Sequence, residues 1–194
     1  QHTLLFDYNH SIFRQISQRY DPELILTSGE ITSKILRKKL SNKIRIEVLG
    51  SHKYKKNNKN SLNKKKNILF LPSGEYEEAI YMTNFAINYA KLNPKINIII
   101  RYHPLIENKF SKYVDFENFK KSNFSIIKDC KNSRWAVYSS SSAIFEAIQF
   151  GCLPINLIGK DLISVNNPLW QIDSNLINKI KSYEELSLII AKTK

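Results

Sequence analysis

His103, Glu146, Arg101 and four consecutive serines, Ser139, Ser140, Ser141 and Ser142, are the side chains of this sequence best suited by type and spacing to chemistry on an anion. Serine is poorly placed in a strand core or a helix interior, because its hydroxyl competes for local backbone groups. It suits a strand-to-helix turn, where the first helical amides lack internal partners and can be capped by a hydroxyl or offered to a phosphate. Glu146 lies four residues beyond Ser142, about one helical turn, so the two share a face. A carboxylate there accepts hydrogen bonds from a vicinal diol such as ribose, and its apolar neighbours Ile144, Phe145, Ala147 and Ile148 make an unpartnered charge costly.

His103 follows the apolar run INIII and precedes Pro104, which fixes a bend and removes a backbone donor. An imidazole at such a position can donate to a phosphate or to a base carbonyl at neutral pH. Arg101 stands two residues earlier, on the same side if the strand continues, as a phosphate partner or as a charge on the sheet edge. Ser73-Gly74 closes a further strand with a turn that lets backbone approach a ligand. Each has an ordinary explanation as well: a hydroxyl cap, a solvated carboxylate, a satisfied histidine, a turn glycine.

These residues need a scaffold that brings distant loops together. After Asp21-Pro22, residues 23–40 read as a strand, a Ser28-Gly29 turn and an amphipathic helix, and 45–50 as a second strand. A short helix is expected within residues 7–20. The lysine and asparagine segment at residues 53–66 reads as a linker. Beyond it, strands are expected at 67–71, 96–103, 124–129, 135–139 and 153–158. Helices are expected at 75–92, where Ala79, Ile80, Met82, Phe85, Ala86 and Tyr89 keep helical spacing, near 114–120, and at 142–150. Alternating strands and helices predict an α/β fold, a Rossmann-like parallel sheet flanked by helices. Ligands of such sheets sit beyond the carboxyl ends of the strands, where Ser73-Gly74, His103-Pro104 and the serine turn should converge.

Composition bounds what such a fold could serve. The chain has 194 residues, 42% of them hydrophobic, enough for a sizeable core. Its apolar runs fall short of the roughly 20 residues of a membrane-spanning helix. It opens on Gln with no secretory pattern, which suits a processed or cut chain. Cys130 and Cys152 fit no metal spacing and read as free thiols of a reducing compartment, so a cytoplasmic location is expected, peripheral at the inner membrane surface as an option. The net charge of +13 admits a polyanionic partner such as an anionic membrane surface. Lys and Asn are abundant throughout, however, and Tyr54 is the only aromatic in the basic segment 53–66, so no specific nucleic-acid partner is expected.

The strand ending in His103-Pro104 and the later serine turn resemble the HP and serine motifs of bacterial sialyltransferases, polysialyltransferases and related capsule enzymes. The piece SSSSAIFEAIQFGCLPI resembles the nucleotide-sugar site of GT-B glycosyltransferases, in which a Glu one turn into the helix holds ribose and a glycine and a proline close the turn after it; those positions are Glu146, Gly151 and Pro154. The resemblance implies a GT-B donor domain at residues 67–194, with residues 1–52 as a remnant of the N-terminal domain and its linker. It implies transfer of a sugar from a nucleotide donor, CMP-linked by preference, to a glycan or lipid-linked acceptor in surface polysaccharide biosynthesis. It also implies a nucleotide site formed by Ser73, Gly74, Arg101, His103, Pro104, Ser139, Ser140, Ser141, Ser142 and Glu146, with His103 as the catalytic group. No D-x-D-like metal pattern accompanies it, so no cofactor is required beyond the donor, and Mg²⁺ on the phosphates stays an option. The chain is too short for both GT-B domains, and Asp7, His10 and Glu30 lie in contexts that name no general base. A non-catalytic nucleotide- or polyanion-binding module, a glycerol phosphate transferase similar at the serine turn and a sugar epimerase of the same architecture are the alternatives.

Overall fold

The computed structural model describes residues 13, 14, 16, 19–51, 66–112, 115–159, 167–172 and 176–193. Most of the expected helix at 7–20, Asp7 and His10 included, and all of the basic segment 53–66 but Lys66 lie outside these residues. Strand β1 (Leu24–Thr27), helix α1 (Glu30–Lys39) and strand β2 (Arg45–Val48) form one βαβ unit whose two strands pair in parallel. Its small core joins Leu36 of the helix and Leu40 just past its end to Ile44 and Ile46.

The remaining elements build a six-stranded, all-parallel sheet. They are β3 (Asn67–Leu71), α2 (Tyr76–Leu92), β4 (Ile98–Ile100), a 3-10 turn at Glu107–Phe110, β5 (Phe119–Lys121), α3 (Ile126–Lys131), β6 (Ser133–Tyr138), α4 (Ile144–Gln149), β7 (Leu153–Leu157), β8 (Asn178–Ile180) and α5 (Tyr183–Lys192). The spatial order is β5-β4-β3-β6-β7-β8. The chain builds outward from β3 in one direction and then restarts at β6 on its other side. This doubly wound order has its switch point between β3 and β6, where the loops leaving the two strands run opposite ways and open a crevice.

Both sheet faces are covered, which explains the unbroken apolar runs of the central strands. Ile68 and Phe70 of β3, with Trp135 and Val137 of β6, face α2 and α5. Leu69, Leu71, Ala136 and Tyr138 face the opposite layer, with Cys130 of α3 and Ile144 and Ala147 of α4. Side chains alternate by two along each strand, so one apolar run serves two cores. Helix α5 closes the first layer through Leu186 and Ile190, and its end is fixed where the Trp135 indole donates to the Thr193 hydroxyl (2.8 Å).

Two expected elements exchange type. The stretch 124–129, expected as a strand, instead starts a helix at Ser125: its Oγ accepts from the Lys128 amide and its carbonyl from the Asp129 amide. The cap outweighs the weak strand preference of Ile126-Ile127. Conversely, the helix expected near 114–120 gives way to β5. The Asn118 side-chain Nδ2 donates to the carbonyls of Ala90, Asn93 and Ile96 (2.8, 3.1 and 3.0 Å), closing the end of α2, and the Asn118 main-chain carbonyl accepts from the Ile98 amide. The chain is thereby delivered to the edge of β4, where Lys120 and Lys121 mark an exposed-edge strand.

Candidate functional site

Three loops reach the carboxyl edge of the sheet near the switch point, and a chain of contacts joins them. After β3, the Ser73 amide donates to Glu78 Oε1 (2.9 Å), and the Ser73 hydroxyl accepts from the Glu75 amide (3.2 Å). After β6, the Ser140 hydroxyl donates to Glu78 Oε2. One carboxylate on the first turn of α2, only 6% exposed, therefore ties together the loops on either side of the crevice. After β4, the His103 ring lies against Gly74, where an added Cβ would stand 3.4 Å from Nδ1.

The local chain explains how His103 gets there. Tyr102 is buried, its ring stacked on Phe110 (4.3 Å between centroids) and its hydroxyl paired with the Thr83 hydroxyl (3.1 Å). The next residue is turned outward, and His103 is exposed. Pro104 carries the bend that follows: the His103 carbonyl accepts from the amides of Ile106 and Glu107 (3.0 and 3.1 Å). The Leu105 amide donates to His103 Nδ1 (3.3 Å). In the neutral ring the proton then sits on Nε2, leaving an N–H donor available.

The serine turn is only partly spent. Ser139 and Ser141 are buried at 3% and 5% exposure, Ser140 is half-buried and Ser142 exposed. Asn156 donates to the Ser139 carbonyl (3.3 Å) and holds the turn against β7. Helix α4 begins at Ile144 with Ala143 as its cap and no side-chain capping bond, so hydroxyl capping is not what these serines do. The amides of Ser141, Ser142 and Ala143 meet no hydrogen-bond partner among the described residues. The turn ends further along at Gly151, whose φ of 80° is readily adopted by glycine and whose amide returns to the Ile148 carbonyl (2.9 Å).

Arg101 is not brought to this cluster. Strand β4 stops at Ile100, so the alternation that would have set Arg101 beside His103 is lost. Its guanidinium donates to Asp129 (3.1 Å), to the Phe124 carbonyl (2.6 Å) and to the Ser122 hydroxyl (3.3 Å), and Asp129 is 1% exposed. Glu146 sits half-buried on the first turn of α4; its carboxylate takes no hydrogen bond from any described residue. Its charge is felt at Cys130, whose thiol is pushed up chiefly by a hydrogen bond with Cys152 and by burial. Both cysteines are free and buried.

Glu78 is the residue that sequence reasoning missed. A signal existed: Glu78, Met82 and Phe85 share one helical face, an acid on an otherwise apolar stripe, which calls for a buried partner. Among the described residues no cluster of three or more His, Cys, Asp or Glu could hold a metal ion, and no helix is long and apolar enough to cross a membrane.

No protein-family profile matches this chain, and no curated protein does. Solved structures share its fold. The glycotransferase of kitacinnamycin superposes with a TM-score of 0.54 at 9% identity, over 89% of this chain and 46% of that one. TarM gives 0.53 at 14% identity, over 87% and 35% of the two chains, and the GtfA/B complex 0.52 at 12%, over 88% and 38%. The chain thus spans less than half the length of each. The six-stranded parallel sheet with its flanking helices is a Rossmann-like domain of the kind found in GT-B glycosyltransferases.

Proposed function

We propose that this chain is the donor-binding part of a glycosyltransferase, holding a nucleotide-activated sugar, CMP-linked by preference, for transfer to a glycan or lipid-linked acceptor in surface polysaccharide biosynthesis. The observation that carries this reading is the convergence of Gly74, His103 and the serine turn at the switch point, with donors left unspent. The departing group in such a transfer is a phosphate ester, and its developing negative charge is what the site must stabilise. The Nε2–H of His103 and the amides of Ser141, Ser142 and Ala143 supply donors for it. Glu146, unpartnered among the described residues, accepts from the ribose hydroxyls. The preference for cytidine rests on the resemblance of the His103-Pro104 and serine motifs to enzymes that use CMP-sugars. Activation of the acceptor hydroxyl falls to groups outside this site.

Calorimetric titration with CMP, UMP, GMP and a short RNA at two salt concentrations tests the proposal. Selective binding of CMP that survives salt is the expected result. Binding of RNA alone, lost at high salt, would overturn it and assign the function to the basic segment at residues 53–66.

A further inference from the structure

We propose that Glu78 is a positioning residue that sets the hydrogen-bond polarity of the crevice: it makes Ser140 an acceptor, so the ligand must present a hydroxyl or amino group there and its phosphate elsewhere. This rests on the nucleotide reading above and adds to it which part of the ligand goes where. An ionised carboxylate has only acceptors. Both Glu78 oxygens are in use, Oε1 by the Ser73 amide and Oε2 by the Ser140 hydroxyl. The single proton of Ser140 is therefore committed, and what its half-buried oxygen still offers is lone pairs.

A phosphate oxygen set against those lone pairs meets repulsion from them and from the carboxylate behind. A sugar or ribose hydroxyl, or an exocyclic amine of a base, meets an acceptor instead. The groups left to donate to phosphate are other ones, His103 Nε2 and the amides of Ser141, Ser142 and Ala143. The crevice is thus divided into a donor-lined part for the charge and an acceptor-lined part for the polyol or base. Unpaired polar groups discriminate strongly when a site is built around them, so Glu78 acts on specificity through Ser140 without touching the ligand.

Glu78→Gln tests this with almost no change of shape. Its carbonyl oxygen still accepts from the Ser73 amide, while its amino group donates to Ser140 and releases the Ser140 proton for donation. The expected result is a roughly tenfold loss of CMP affinity, with affinity for inorganic pyrophosphate unchanged or raised. In the pair Ser140→Ala and Glu78→Gln/Ser140→Ala, the second substitution should add nothing to the first. CMP binding by Glu78→Gln equal to that of the unsubstituted chain, or parallel losses for CMP and pyrophosphate, would overturn the proposal.

A second readout needs no nucleotide. In amide NMR spectra of the free chain, the Ser73 resonance should move upfield in Glu78→Gln as its acceptor loses charge, and an unmoved resonance would refute the tie between the loops. If the unsubstituted chain binds none of CMP, UMP or GMP, the nucleotide reading fails and the ligand assignment fails with it. The Ser73 shift then still decides the positioning role.

Discussion

Two polar clusters stand at the carboxyl edge of the same sheet, and they spend their hydrogen bonds differently. Beyond β4 and β5, Arg101, Ser122 and Asp129 close on one another: the guanidinium and the Ser122 hydroxyl both reach the buried Asp129 carboxylate, at 3.1 and 2.5 Å. Beyond β3 and β6, the Glu78 carboxylate is as thoroughly used, but His103 Nε2 and the amides of Ser141, Ser142 and Ala143 face no described partner. In the first cluster Asp129 Oδ2 takes both bonds and Oδ1 stays buried without a partner among the described residues, a closed arrangement; on the reading proposed above, the donors left over in the second are what a ligand would meet.

The largest effect that would sharpen this contrast is in the closed cluster. Arg101→Ala leaves Asp129 buried without its counter-charge and should cost about 3 kcal/mol of stability, read by chemical denaturation, while the CMP affinity of the folded protein stays put. A loss of affinity instead would bring Arg101 into the site. His103→Ala should do the reverse, lowering nucleotide affinity by about 2 kcal/mol in calorimetry and leaving stability within about 0.5 kcal/mol, the range of exposed positions. Equal binding by this variant would place the phosphate elsewhere.

Gly151→Ala comes next. A side chain at φ of 80° strains the turn that ends α4, and a cost of about 1 kcal/mol is expected. The smallest effect concerns Tyr138, which immediately precedes the serine turn and donates to Asn167 (3.2 Å). Burial raises its phenol, with the Asn167 bond opposing, and Tyr89 is raised by burial too. For groups raised on folding, the stability they contribute is complete below the ordinary tyrosine value near 10 and is lost as pH climbs toward the folded value. The thermal midpoint should accordingly decline above about pH 10, and Tyr138→Phe should make that decline shallower.

Much of the architecture was legible because it is written in local patterns. The apolar runs of β3, β6 and β7 and the helical spacing from Ala79 to Tyr89 each predict their element without reference to partners. Where local signals were short, they failed: three residues of β5 and six of α3 exchanged places, and β8 was missed, because such segments are decided by an edge to pair with or a cap.

The sequence by itself determined the period of the strands, the bend at His103-Pro104, the serine turn and the Gly151 that follows it, and hence an α/β chain whose loops carry these residues at the sheet's carboxyl edge. The tertiary structure alone decided that Arg101 is claimed by Asp129 and that Glu78 spans the crevice to Ser140. Arg101 and Asp129 lie 28 residues apart and Glu78 and Ser140 lie 62. Which acceptor a polar group finds at such separations follows from strand order in the folded sheet, and no local preference encodes that order.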